Sequence, residues 1–142
     1  MRAFLILIPL LVLAACAPAA GGLRDADALI GPEWHLSRIA LPDGSLLVPT
    51  QGVHSLQFED DGIAYGRFDC NQGSGHYTAH NGSMDLGPMT STLMACPPGS
   101  IAFEFTSALE GVFRFEVTDT TLVLYGRDGT LLQFGTIATA RD

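Results

Sequence analysis

The stretch Gly66-Arg67-Phe68-Asp69-Cys70-Asn71-Gln72-Gly73-Ser74-Gly75-His76-Tyr77 decides how this chain is read. It completes an alternating run that begins at Ile63. The alternation predicts a strand with Ile63, Tyr65 and Arg67 on one face and Ala64, Gly66 and Phe68 on the other. Gly66 inside the run predicts a bulge or a close backbone approach. Residues 70–75 predict a tight irregular loop, because Asn and Gly reach positive φ at little cost. Residues 76–80 and 83–86 then flank Asn81-Gly82, the pair expected of a type I′ hairpin. The segment Thr92-Leu93-Met94-Ala95-Cys96 follows and carries the second of the two cysteines that lie beyond Cys16.

Working outward, residues 33–40 alternate. Trp34, Leu36 and Arg38 are expected on one face, with His35, Ser37 and Ile39 on the other. The lone Trp34 is read as a core anchor. Residues 53–58 predict a strand with Leu56 and Phe58 together, and Asp60-Asp61-Gly62 predicts the hairpin that joins it to Ile63. One helix is expected after the Pro97-Pro98-Gly99 break. Ser100 is placed to cap it, Glu104 suits its first turn, and Ile101, Phe105, Ala108, Leu109 and Val112 repeat at helical spacing. Residues 113–117, 121–125 and 130–134 predict three final strands, with Arg127-Asp128-Gly129 turning the last pair. The fold class is mainly β with one helix (α+β): a single antiparallel, strongly curved sheet forming a small barrel-like domain, with the helix packed against it.

The 142 residues suffice for one domain, and a hydrophobic share of 47% allows a core. Charge is sparse and acidic: seven arginines, no lysine and fifteen acids give a formal charge of -8. That balance repels phosphate backbones and excludes a nucleic-acid partner. It suits the solubility of an exported domain.

Met1-Arg2 is a short positive start, and residues 3–13 form an apolar run too short to span roughly 30 Å of hydrocarbon as a helix. It fits the apolar centre of a secretory signal. Leu13-Ala14-Ala15-Cys16 follows and resembles the lipobox of bacterial lipoproteins. That resemblance implies cleavage before Cys16, lipid on its thiol, and a membrane contact through the acyl anchor. Ala17, in place of an aspartate, resembles the default for outer-membrane sorting, facing the periplasm. The expected organisation is a signal peptide over 1–15, a flexible tether over 16–30, the domain over 31–137 and a tail over 138–142.

The domain resembles the META domain family of HslJ-like bacterial envelope lipoproteins. The resemblance rests on Cys70-Asn71, on Gly75-His76-Tyr77 just after it, and on Thr92-Leu93-Met94-Ala95-Cys96 before the helix. Trp34-x-Leu36 and Leu122-x-Leu124 fit the family's opening and closing strands. The family motif residues are therefore Asn71, Gly75, Tyr77, Thr92, Met94 and Ala95, with the two cysteines. Asp69 stands where the family has glycine, which puts a positive φ there in question. The family implies an antiparallel β-rich fold with a packed helix, links to stress tolerance, and no known reaction.

Export places Cys70 and Cys96 in an oxidising compartment, and lipidation of Cys16 leaves them as an even pair. A structural disulfide is expected. The competing reading is a reactive cysteine, with His76 or His54 as base and Asn71 to orient it. His76 and His80 share a strand face but lie about 13 Å apart, too far for one metal unless the strand bends. Asp60, Asp61, Asp69 and Asp85 could be offered as catalytic carboxylates, but Asp60 and Asp61 already belong to a turn. The helix face with Phe103, Phe113 and Phe115 is read as core, with a lipid-sized cavity as the alternative. No catalytic residue, cofactor or metal is expected. The expected role is a non-enzymatic, lipid-anchored envelope module that binds a protein partner in stress tolerance or assembly. The alternatives are a carrier of a small apolar ligand and an inhibitor of a lysozyme or protease.

Overall fold

The computed structural model describes residues 26–137. The expected signal peptide, Cys16, most of the expected tether and the expected tail lie outside the described residues. The elements run β1 (Glu33–Ala40), β2 (Leu46–Leu47), β3 (His54–Phe58), β4 (Ile63–Phe68), β5 (Asn71–His80), β6 (Ser83–Leu86), β7 (Thr90–Ser91), α1 (Ala102–Leu109), β8 (Val112–Val117), β9 (Thr121–Gly126) and β10 (Leu131–Thr136). Every pairing between these strands is antiparallel. The order β10-β9-β8-β6-β5-β4-β3-β1 closes on itself because β1 also pairs β10. The result is the expected curved sheet, closed as an eight-stranded barrel, with β2 and β7 as short additions. Closure leaves the eight main strands few unpaired edges.

Alternation fills the interior. Trp34, Phe58, Phe68, Phe105 and Phe134 are fully buried, with Leu56, Leu122, Leu124 and Leu132 between them. The helix plugs one end of the barrel. Its Phe105 ring packs 5.6 Å from Phe68, 5.8 Å from His54 and 5.9 Å from Phe134, centroid to centroid. Ser100 Oγ accepts from Ala102 N at 3.2 Å, so it serves the first turn, although Ile101 occupies the boundary position.

The turns follow their chemistry. Asn81 and Gly82 both hold positive φ, 49° and 76°, as a type I′ connection requires. Asp61 Oδ1 accepts from Ile63 N at 3.0 Å and organises the β3–β4 turn.

Four expectations are corrected. Ile39 lies inside and Arg38 outside, because a bulge between Leu36 and Arg38 shifts the register of β1 against β10. Arg38 instead donates to Gln133 Oε1 at 2.9 Å. Residues 71–75 are the first half of β5, not an irregular loop. Val112 begins β8; the helix ends at Leu109. Residues 26–30 belong with the fold rather than the tether. Leu29 is fully buried, its carbonyl accepts from Trp34 Nε1 at 3.0 Å, and Ile30 bridges Phe58.

Candidate functional site

Most of the motif residues converge where β5 leaves the β4–β5 turn, namely Asn71, Thr92 and Met94 with the two cysteines. Asp69 turns the chain with φ 57°, so the left-handed conformation is kept without glycine. Cys70 follows and is joined to Cys96 by a disulfide, with the two Cα atoms 5.4 Å apart. The next side chain, Asn71, ties down residues 92–94. Its Oδ1 accepts from Met94 N at 2.7 Å and from Thr92 Oγ1 at 2.8 Å. Its Nδ2 donates to Met94 O at 3.0 Å. Thr92 Oγ1 also accepts from Gln72 N at 3.1 Å, and Thr92 N donates to Gln72 O. The carboxamide of Asn71 thus takes the place of a strand's peptide group and, with the Thr92–Gln72 bond, continues the β5–β7 pairing through Met94.

The glycines of this region serve close approach. A Cβ on Gly73 would lie 2.1 Å from Thr90 O, which shows how tightly β7 rests on β5. Gly75 admits the carbonyl of Pro88 in the same way. Neither Gly73 nor Gly75 holds the positive φ expected of a loop. Their signal, glycine at every second position of an extended run, fits a crossing backbone equally well.

Tyr77 sits deeper. Its hydroxyl donates to Glu59 O at 2.8 Å and its ring meets Phe58 edge-on at 4.9 Å. Burial, then the charges of Asp61, Asp60 and Glu59, raise its pKa above the usual phenol value. This motif residue therefore anchors the opposite turn and is not part of the surface formed by the others.

Fixing residues 92–96 beside α1 creates a groove of about 450 Å³. Phe68 and Cys96 lie at its base, Ala95 and Ala102 on its walls, and Leu93, Met94 and Phe103 at its rim. Leu93 is 95% exposed, Phe103 78% and Met94 59%. Three large apolar side chains are thus exposed together along one groove. Phe103 was expected in the core or a lipid-sized cavity, together with Phe113 and Phe115. It faces solvent, Phe113 is partly exposed beneath the Arg127 guanidinium, and Phe115 alone is in the core.

The other candidate chemistries are not brought together. The two sulfurs bond each other, so neither is a thiolate. His76 is on the outer face of β5, and the His54 ring packs against Phe105 with no protein partner for either nitrogen. His80 and Asn81 pair locally at 2.8 Å. Among the described residues no three His, Cys, Asp or Glu side chains are grouped to hold a metal ion. No described helix is long and apolar enough to cross a membrane.

The fold has solved relatives. A protein from Burkholderia xenovorans, solved by NMR, is 27% identical, with a TM-score of 0.67 over 79% of this chain and 86% of that one. A duf4847 family protein from Bacteroides vulgatus is 16% identical, with a TM-score of 0.57 over 82% and 98% of the two chains. The second of these likenesses concerns the fold alone. No curated protein matches the chain. The META domain family model matches residues 27–139, which span the whole barrel and its helix. With Asn71, Tyr77 and the Thr92–Cys96 segment placed as described, the chain belongs to the META domain family.

Proposed function

We propose that this is a non-enzymatic, lipid-anchored protein of the cell envelope that works by binding a protein partner, as an accessory in stress tolerance or assembly. The observation that carries this reading is the apolar groove between residues 92–96 and α1. It has Leu93 and Phe103 largely exposed on a backbone held by a disulfide and by Asn71. Rigid apolar anchors lose little freedom on association, so such a surface favours binding. The lipobox-like Leu13-Ala14-Ala15-Cys16 supports the anchor and the address, with Cys16 as the acylated first residue of the mature protein. In this reading the protein faces the periplasm from the outer membrane.

The test is site-specific photocrosslinking in intact cells. A photoreactive residue at Leu93 or Phe103 should capture one recurrent envelope protein, while one at Thr78, on the outer face of β5, should not. Mass spectrometry of the same material should find two or three acyl chains on Cys16. A groove that captures nothing, with a normally acylated chain, would defeat the binding role and leave the anchor standing.

A further inference from the structure

A second depression, of about 570 Å³, lies on the outer face of β1, β3, β4 and β5. It shares only Thr92 with the apolar groove. Its chemistry is the opposite. The register sets Gln57 across from Tyr65, Tyr65 across from Ser74, and Arg67 across from both Ser55 and Gln72. Tyr65 is the one aromatic residue in it and is 50% exposed; every other lining residue is polar or glycine.

Two of its groups are held in advance. The buried Ser55 donates its hydroxyl to Glu33 Oε1 at 2.6 Å, and Gln57 Nε2 donates to Glu59 Oε1 at 2.9 Å. Glu33 Oε2 lies 3.7 Å from His35 Nε2. Arg67, by contrast, has no ion-pair partner among the described residues.

An apolar peptide side chain finds no pocket in such a trough. A polyhydroxylated ring matches it. The Tyr65 face accepts the C–H face of a sugar, and carboxamides and hydroxyls, which both donate and accept, suit its hydroxyl groups. Arg67 offers a planar fork fitted to a carboxylate. We propose that this trough binds a saccharide bearing a carboxylate group. Tyr65 stacks on the ring, Arg67 holds the carboxylate, and Gln72 and Ser74 bond the hydroxyls. The site does not rest on the reading of the apolar groove.

The purified protein is titrated with tetragalacturonate, with neutral maltotetraose and with citrate, following backbone amide shifts by NMR. Tetragalacturonate should move the signals of residues 65, 67, 72 and 74. Maltotetraose should move the same signals with weaker affinity, and citrate should leave them in place. Tyr65→Ala should weaken both sugars by roughly fivefold or more, the scale of a lost ring contact. Arg67→Gln should reduce tetragalacturonate to the maltotetraose affinity. Both side chains are on the outer face, so the fold is retained, and an unchanged amide spectrum elsewhere verifies this. Phe103→Ser, in the other groove, should leave sugar binding unaltered. Any of three results overturns the proposal: no shift at the trough with either sugar, citrate binding as well as tetragalacturonate, or full affinity in Tyr65→Ala.

Discussion

The carboxamide of Asn71 bonds both backbone groups of Met94, receiving the amide at 2.7 Å and donating to the carbonyl at 3.0 Å. One side chain thereby acts as the strand partner of Met94. Asn71→Asp keeps the acceptor, loses the donor and faces the Met94 carbonyl with a negative charge. It is expected to cost about 1–3 kcal/mol in urea unfolding and to loosen residues 92–94. An Asp variant as stable as the parent would show that this pairing contributes little.

The disulfide closes the same turn from the other side. Reduction, or Cys70→Ser with Cys96→Ser, is expected to lower stability by roughly 3 kcal/mol, the chain-entropy term for a link across a sequence separation of 26. Thermal melts with and without reductant measure this. The intact protein should also show no free thiol from Cys70 or Cys96.

Gly73 tests close approach in isolation. Its φ is not positive, but an added Cβ would meet Thr90 O at 2.1 Å. Gly73→Ala should therefore separate β7 from β5 at a cost of roughly 2–3 kcal/mol, as overpacking does elsewhere. Amide exchange of Ser91 and Thr92 should accelerate with it. Unchanged exchange would count against tight contact.

His54 sets a pH dependence. Burial lowers its pKa from the ordinary 6.5, and the charge of Asp69 opposes this in part. The folded protein thus holds the proton less well than the unfolded chain. Stability is full above the unfolded value and declines as the pH drops below about 6.5 toward the lowered folded value. His54→Leu should flatten the melting temperature across that window. Asp43 and Asp128 act in a lower one. Bonds from the Ser45 hydroxyl and amide lower the first, and bonds from the Thr130 amide and hydroxyl the second. Their contribution is present above 3.8 and disappears as the pH falls through the lowered values, so the two effects separate in a pH series.

The rim of the apolar groove should be dispensable for folding. Leu93→Ser and Phe103→Ser are expected to change stability by no more than about 0.5 kcal/mol, because both side chains already face water. The same substitutions should abolish partner capture. A large loss of stability in either would show that these side chains pack against the protein itself.

Local periodicity and turn chemistry made most of the barrel legible. The alternation in residues 33–36, 54–58 and 63–68, and the Asn81-Gly82 pair, each dictate their conformation from neighbours alone. The pairing of Cys70 with Cys96 was legible as well: they are the only two cysteines among the described residues, and the expected export would favour the bond. The β1 bulge was not legible: Ile39 turns inward because β1 carries one extra residue, Ser37, between the pairs Leu36–Phe134 and Arg38–Gln133, and nothing within residues 33–40 records that. Nor was the extension of β5 through residues 71–75, whose glycines are suited to a loop or to a crossing backbone.

The amino-acid order by itself determined which segments extend and where they turn, because these depend on steric preferences within a few residues. Only the tertiary structure decided that Phe105 plugs the barrel while Phe103, two residues away, faces water beside Leu93 and Met94. That partition depends on where residues 92–96, tied to the start of β5 by Asn71 and the disulfide, come to lie against the helix. Long-range packing alone sets that position.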